Sequence, residues 1–313
     1  MKQANDYLRG SLKVKTNASP NYCPPSNQQN NEKYVPNPQH TFPLALSMFQ
    51  FMGRLMGVSL RTRLCLPFEL PGMIWKSILG LRIGFEDLRM VDTITCQFLT
   101  AIRDCEDDGL NSEVEFREKY GEHLFFTCTG SDGVERELSP GGASRRVTFD
   151  NRGLFCDMVE HARLHEFDAQ VAAIARGLAE VVPMKVLRLF TGKQLEVEVA
   201  GEPVFDITFW KEHTEYKGFR AEDPTIVLMW KVIESLSPED QSGFVRFAWG
   251  RSRLPPRAYW HTNMKISNRG NATLPVSHTC FFSVELPEYK TEQEMRKGLL
   301  TAIHFGGGGI LNA

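Results

Sequence analysis

The sequence predicts an α+β protein whose length allows two lobes or domains. The chain has 313 residues, of which 42% are apolar and 24% charged, as in ordinary globular proteins. Apolar residues recur every three to four positions before about residue 200, which is typical of helices. From Phe281 to Leu286 they alternate, which is typical of a strand. A stop signal at Ala200–Pro203, glycine followed by proline, separates the two regions, and we predict domains at 1–200 and 204–313.

Composition excludes several classes of function. The net charge of −2 gives no electrostatic reason to predict binding to nucleic acid. Seven cysteines without a Cys-x-x-Cys pair argue against a disulfide framework or a zinc ribbon and favour a reducing compartment. The N-terminus lacks the apolar core of a signal peptide. We expect the protein to lie in the cytoplasm, and the same features are compatible with an additional nuclear pool. We predict no cofactor.

The first region opens with a helix predicted over Leu44–Arg61. Its apolar residues at helical spacing are Leu44, Met48, Phe51, Leu55 and Val58. Gly53 and Gly57 lie one turn apart, and each lowers the helix propensity by about 1 kcal/mol, so we predict a close helix contact at this face. The segment also contains Gln50 and Arg54, which favours a buried helix over a membrane span.

The clearest helical pattern runs from about Leu154 to Val182 and ends before Pro183. His161 and His165 lie one turn apart on it. Neither a His-Glu-x-x-His motif nor a third ligand accompanies them, so no metal site is predicted.

Caps divide the rest of the chain into elements. Each cap is a Ser or Thr whose side-chain oxygen can accept a hydrogen bond from a backbone N–H of the first helical turn. They predict helices that begin after Thr191, Ser237 and Thr291. The segment from Asn263 to Ser267 fits a strand.

Cys280 lies where a predicted loop, Leu274–Thr279, enters a predicted strand. A loop gives access to a thiol and a strand gives it a rigid support, which suits a nucleophile. His278 and Thr279 precede the cysteine and could act on it. The alternative is a small buried apolar residue, as most free cysteines are. The spacing leaves both interpretations open.

Three stretches match a known family in order and content. They are Phe-Met-Gly-Arg-Leu-Met-Gly at 51–57, Leu-Pro-Phe-Glu-Leu-Pro at 66–71, and residues 274–289 with Ser-His-Thr-Cys-Phe and Leu-Pro-Glu-Tyr. Over roughly residues 34–313 the chain resembles the catalytic domain of HECT-type ubiquitin ligases, especially the large ones that also carry RCC1-like repeats. The resemblance implies a bilobal fold: a larger, mostly helical N-lobe with a small subdomain for the conjugating enzyme, and a smaller α/β C-lobe with the catalytic cysteine.

The resemblance also implies roles for individual residues. Cys280 would accept ubiquitin from an E2 ubiquitin-conjugating enzyme as a thioester and pass it to a lysine of a protein substrate. His278 and Thr279 would support it, and of the roles open to His278 (lowering the thiol pKa, polarising the carbonyl or orienting the loop) we expect orientation. Phe155 and Val159 fall where HECT enzymes contact the conjugating enzyme.

Further expectations concern the hinge and the two ends of the chain. The hinge between the lobes would lie at Gly201, Glu202 and Pro203. HECT enzymes carry a phenylalanine fourth from the end that can be needed for activity. Ile310 has that place here, so either Phe305 or Ile310 would dock. The family's opening segment with paired glycines is not found, and we expect a fragment or a shortened form.

Two other functions compete with ligase activity. A non-catalytic module would hold a ubiquitin-loaded conjugating enzyme without transfer, and binding without an adduct on Cys280 would favour it. A papain-type cysteine protease is disfavoured, because such enzymes carry their cysteine early and their histidine and asparagine far downstream.

Overall fold

A computed structural model describes residues 33–202, 206–251, 253–260 and 263–306. The chain divides into two compact units. The first holds residues up to 62 together with 68–196, and the second holds residues 63–67 together with those from 197 onward. The predicted hinge stays a prediction, and Pro203 lies outside the described residues.

The described part of the first unit is mainly helical and contains one short antiparallel hairpin. Its helices, of which the last continues into the second unit, are α1 (Pro43–Thr62), α2 (Gly72–Ile78), α3 (Phe85–Arg89), α4 (Thr93–Arg103), α5 (Glu113–Tyr120), α6 (Arg152–His165), α7 (Asp168–Val181), α8 (Met184–Leu187) and α9 (Gly192–Ala200). The hairpin pairs β1 (Thr127–Thr129) with β2 (Glu135–Glu137).

Helices α1 and α7 pack through glycines, which confirms the predicted close contact. A Cβ added to Gly53 would lie 1.9 Å from the carbonyl oxygen of Ile174, and Gly57 faces the same helix. The contact is reciprocal, because a Cβ added to Gly177 would lie 1.8 Å from the carbonyl oxygen of Gln50. Only residues without a Cβ let the two backbones approach this closely.

The buried face of α1 differs from the apolar spacing named above. Leu44, Phe51 and Val58 are 63%, 51% and 46% exposed. The buried positions lie on the adjacent face and are Ala45, Phe49, Met52, Gly53, Met56, Gly57 and Ser59. The close contact with α7 selects the face that carries the glycines, which apolar periodicity alone does not identify.

The helix predicted from Leu154 to Val182 is two helices, α6 and α7, separated at Glu166 and Phe167. The Glu166 carboxylate accepts hydrogen bonds from the backbone N–H of Ser131 at 3.0 Å and from Arg163 at 3.2 Å. Phe167 is buried. These tertiary contacts hold the turn, and the continuous apolar period conceals it.

In its described residues the second unit combines four further helices with one mixed sheet. The helices are α10 (Ile207–Glu212), α11 (Pro224–Ser235), α12 (Pro238–Trp249) and α13 (Glu292–Gly306). The strands are β3 (Thr214–Lys217), β4 (Met264–Asn268), β5 (Val276–His278) and β6 (Ser283–Leu286). The sheet order is β3-β4-β6-β5, in which β3, β4 and β6 are parallel and β5 runs antiparallel to β6.

The predicted caps are confirmed. Thr191 Oγ1 accepts from the backbone N–H of Gln194 at 3.2 Å, while the Gln194 side chain accepts from the Thr191 N–H at 2.9 Å. Thr291 makes the same reciprocal pair with Glu294. Ser237 caps α12 by accepting from the next turn.

The structure confirms the strand predicted before Pro287 but begins it at Ser283 rather than at Phe281, and it corrects the loop prediction before Cys280. Phe282, Val284 and Leu286 are buried while Phe281 is exposed, as their alternation predicts. The loop prediction for Leu274–Thr279 is wrong at β5, which pairs with β6 along the sheet edge. The three residues of β5, Val276–His278, carry no apolar alternation, so periodicity does not predict this edge strand.

Candidate active site

Cys280 lies in a tight turn between two strands of the second unit. β5 ends at His278, a 3₁₀ turn spans Thr279–Phe281, and β6 begins at Ser283. Phe282 closes the turn with a φ of +47°, a left-handed conformation that is uncommon for residues other than glycine. The turn leaves Cys280 exposed.

Phe282 holds this turn from the interior. Its ring is buried and stacks on Trp249 with 4.5 Å between the ring centroids. Its carbonyl oxygen accepts a hydrogen bond from the backbone N–H of Lys265 at 2.9 Å. Burial of a large aromatic ring offsets the cost of the left-handed backbone, so the core of this unit fixes the position of the thiol.

Cys280 borders a cleft of about 390 Å³. Trp249 and three cationic side chains, those of Arg63, Arg251 and Lys265, also line it. Arg63 belongs to the second unit through the segment 63–67. None of the described residues that line the cleft carries a carboxylate. The thiol therefore faces a space in which the side-chain charges are positive.

The other described cysteines differ from Cys280 in exposure. Cys65, Cys96, Cys105 and Cys156 are buried and Cys128 is half-buried, and all six of these cysteines, Cys280 included, are free thiols. Burial raises the pKa of Cys96 to about 12 and the pKa values of Cys128 and Cys156 to about 11. A thiol reacts as its thiolate, so these side chains are poor nucleophiles near neutral pH. Among the described cysteines, Cys280 alone is exposed.

His278 is bonded to a carboxylate on the neighbouring strand. Its Nε2 lies 3.1 Å from Oε1 of Glu285, and the other carboxylate oxygen lies 3.9 Å from Nε of Arg269. The pair bridges β5 and β6, in which His278 stands opposite Ser283. The arrangement orients the imidazole along the sheet. Thr279 is exposed beside the thiol.

Comparison with known proteins decides the family. The family described as HECT-domain (ubiquitin-transferase) matches residues 11–310. This chain belongs to the HECT family. E3 ubiquitin-protein ligase HERC2 of Mus musculus is 36% identical to it over 283 residues, which are 88% of this chain and 6% of that protein. The resemblance stated from the sequence is confirmed.

More distant HECT relatives cover a similar part of the chain. E3 ubiquitin-protein ligase HACE1 of Bos taurus is 29% identical over 297 residues, which are 91% of this chain and 31% of that protein. E3 ubiquitin-protein ligase UPL1 of Arabidopsis thaliana is 28% identical over 287 residues, which are 88% of this chain and 8% of that protein. This HECT chain therefore spans less than a third of the length of these relatives.

The two residues expected to contact the conjugating enzyme lie in the interior of the first unit. Phe155 and Val159 are 2% and 4% exposed, and they pack in a core with Leu99 and Phe126. Their positions on α6 turn toward α4 and the hairpin rather than outward. Exposed apolar side chains of the same region include Ile94 and Phe98 of α4, Val114 of α5 and Leu154 of α6.

The described part of the expected hinge is bonded within the second unit. Gly201 has a φ of +92°, and its carbonyl oxygen accepts from Arg253 at 3.5 Å. The N–H of Glu202 donates to the carbonyl oxygen of Leu254 at 2.8 Å. A Cβ at Gly201 would lie 2.5 Å from that same oxygen, so this position requires glycine.

Of the two tail residues expected to dock, the structure describes only Phe305. Phe305, near the end of α13, is 70% exposed, and Ile310 lies outside the described residues.

The rings of His161 and His165 lie 4.5 Å apart, and Nδ1 of His165 is 3.0 Å from the Asp168 carboxylate. No group of three or more metal-ligating side chains occurs in the described ranges. In those ranges no helix combines the length and apolar character of a membrane span.

Sequence reasoning missed the cations around the thiol. Arg251 stands in the stretch Trp249–Pro255, directly after a helix that Gly250 ends with a φ of +74°. That glycine ends the helix, and it is the local signal that Arg251 lies beyond the helix end. Lys265 and Arg63 are far from Cys280 in the chain, and no pattern links them to it.

Proposed function

We propose that this chain is a HECT-type ubiquitin transferase that carries ubiquitin as a thioester on Cys280. The observation that supports this most is the exposed thiol at the mouth of a cleft, in a chain that matches the family over residues 11–310. The relatives named above are called E3 ubiquitin-protein ligases, which agrees with the proposal.

The first step is an exchange of one thioester for another. The Cys280 thiolate attacks the carbonyl carbon of the thioester that joins ubiquitin to the conjugating enzyme. A new carbon–sulfur bond to Cys280 forms, and the sulfur of the conjugating enzyme leaves with the electron pair of the broken bond. The starting thioester and the product thioester are close in free energy. The protein therefore needs mainly to bring two sulfur atoms together, which is a problem of proximity.

The second step transfers ubiquitin to a lysine of a protein substrate. The neutral lysine amine attacks the Cys280 thioester, an amide forms, and the Cys280 thiolate leaves. The amine loses its proton to solvent or to a nearby base. The open side of the cleft provides room for the approach of such an amine, since Cys280 and Phe281, which line it, are both exposed.

The proposed contact with the conjugating enzyme lies on the first unit. Ile94 and Phe98 stand four residues apart on one face of α4, and they are 50% and 41% exposed. The Phe98 ring meets Tyr120 edge-on, with 6.4 Å between the centroids. An exposed, partly supported aromatic ring is the kind of residue that contributes most to protein interfaces.

Phe98→Ala should weaken binding of the conjugating enzyme by about tenfold, since truncating an interface hot spot costs more than about 1 kcal/mol. Titration calorimetry measures the affinity, with the conjugating enzyme in its ubiquitin-loaded form and in its free form. Leu189→Ala, which truncates a side chain that is 81% exposed elsewhere on the unit, is the matched control. Equal affinities for the two variants would remove the α4 face from the proposal.

The experiment that tests the function is an adduct assay. The chain is incubated with ubiquitin, ATP, the activating enzyme and a conjugating enzyme, and is resolved on a non-reducing gel. We expect a band larger by one ubiquitin that disappears with a thiol reductant. Binding of the loaded conjugating enzyme without this band would support the non-catalytic module instead.

His278→Ala should slow formation of the adduct by less than about tenfold, because a general acid or base would contribute about 10²–10⁴-fold. The expected role is positioning, through the bond to Glu285. Between pH 6 and 8, the adduct rate of the variant should depend on pH in the same way as that of the unmodified chain. Glu285→Gln should slow adduct formation as much as His278→Ala does. A hundredfold loss with an altered pH profile would give His278 a direct part in the chemistry.

A further inference from the structure

The charges around the Cys280 cleft come from three separate parts of the second unit. Arg63 lies in the segment 63–67, which is attached through the N–H of Leu66 and the carbonyl oxygen of Val199 at 2.9 Å. Arg251 follows the end of α12, and Lys265 points outward from β4 between two buried residues. Their convergence on one cleft is a product of the fold.

None of the three cations has a carboxylate partner among the hydrogen bonds and ion pairs of the described residues. The Arg251 guanidinium lies over the Trp249 ring at 4.6 Å from its centroid. The Arg63 guanidinium lies over the Tyr259 ring at 4.5 Å. Aromatic faces hold these groups in place without neutralising their charge. The acidic Glu198 interacts with Tyr259 and with Cys65 and does not line the cleft.

We propose that this cationic cleft selects the acceptor, and that it favours lysines flanked in sequence by Asp or Glu. The inference rests on the proposed function and names the substrate class of the same site. Carboxylates beside the acceptor would pair with Arg63, Arg251 and Lys265, and the guanidinium groups suit carboxylate oxygens in two-point contacts.

The same charges act on the acceptor amine. A lysine ammonium that enters a cleft lined by cations is disfavoured relative to its neutral form, because like charges repel. The neutral amine is the nucleophile in the transfer step. The cleft therefore promotes the reactive form of the amine, while acidic neighbours supply the attraction that brings the segment in.

The test is a single-turnover discharge of the preformed Cys280 thioester. Acceptors are peptides of equal length with one lysine, flanked by acidic, by uncharged or by basic residues. We expect the acidic peptide to react about tenfold faster than the uncharged one at low salt, with the basic peptide slowest. The preference should shrink as salt is added, because exposed charges are screened.

A charge-reversed protein supplies the second arm. Arg251→Glu with Lys265→Glu should invert the order of the three peptides. Lys297→Glu, an exposed change on α13 that does not line the cleft, should leave the order intact. If the double variant does not load ubiquitin, the salt series on the unmodified protein decides.

The outcomes separate the two proposals. If Cys280 forms no thioester, the proposed function fails and the acceptor preference fails with it. If the thioester forms and the three peptides react at equal, salt-independent rates, the acceptor preference is overturned and the transferase proposal stands.

Discussion

Cys280→Ala should abolish the thiol-sensitive ubiquitin adduct, because alanine offers no atom that can form a thioester. The matched control is Cys128→Ala. Cys128 is half-buried, and burial raises its pKa to about 11, so its thiol is almost entirely protonated near neutral pH. The control should form the adduct at the rate of the unmodified chain. Non-reducing gels of both variants, with circular dichroism to check folding, measure the difference.

Cys280→Ser extends this prediction to the chemistry of the bond. A serine oxygen at the same position should form an oxyester, which persists in thiol reductant and is cleaved by hydroxide. Its formation should be slower, because a hydroxyl is far less ionised than a thiol at the same pH. An adduct that remains thiol-sensitive in Cys280→Ala would place the acceptor on another cysteine.

Gly177→Ala should destabilise the first unit, because overpacking at this contact costs about 3 kcal/mol, at the upper end of the usual range. The added Cβ would lie 1.8 Å from the carbonyl oxygen of Gln50, which is backbone and cannot swing away. The helix propensity of alanine returns about 1 kcal/mol, so the net loss is about 2 kcal/mol. The melting temperature should fall by about 4–8 °C, at about 2–4 °C per kcal/mol for a unit of this size.

Gly153→Ala is the control for this effect. Gly153 also lies in a helix, α6, and a Cβ there would meet no atom within 4 Å. Its melting temperature should stay the same or rise slightly. Equal melting temperatures for Gly177→Ala and this control would mean that α1 and α7 can move apart at little cost. That result would contradict the close contact described above.

The local signals in the sequence predicted local features well. The cap at Thr191 needs only its own first turn, and the alternation of Val284 and Leu286 with Ser283 and Glu285 reflects the two faces of one strand. The pair Gly53 and Gly57 predicted a close approach, because glycine in a helix interior lowers stability unless packing compensates. The cap and the alternation are explained by residues a few positions away, whereas the glycine pair predicted a close contact without identifying the helix that makes it.

The features that the sequence did not reveal depend on strand pairing and packing, which leave no apolar period in the chain. β5 is a strand because β6 pairs with it, and α6 ends because Glu166 bonds to Ser131 in the hairpin region. Phe155 has the spacing of an interface residue and of a core residue alike, and only the packing of α4 and the hairpin decides for the core.

The candidate site shows the same division. Cys280 and His278 were found through the order of residues in one segment, whereas the orientation of His278 toward Glu285 depends on the register of two strands. The cationic surroundings of the thiol join residues 63, 251, 265 and 280. Charges so far apart in the chain carry no common period, so they become a site only in the folded unit.

The most direct measurement of the central claim is mass spectrometry of the adduct, digested under acidic, non-reducing conditions. The account predicts a peptide in which the ubiquitin C-terminus is joined to Sγ of Cys280, and no such peptide for the other six of the chain's seven cysteines. A linkage on any other residue, or a loaded conjugating enzyme that leaves Cys280 unmodified, would contradict it.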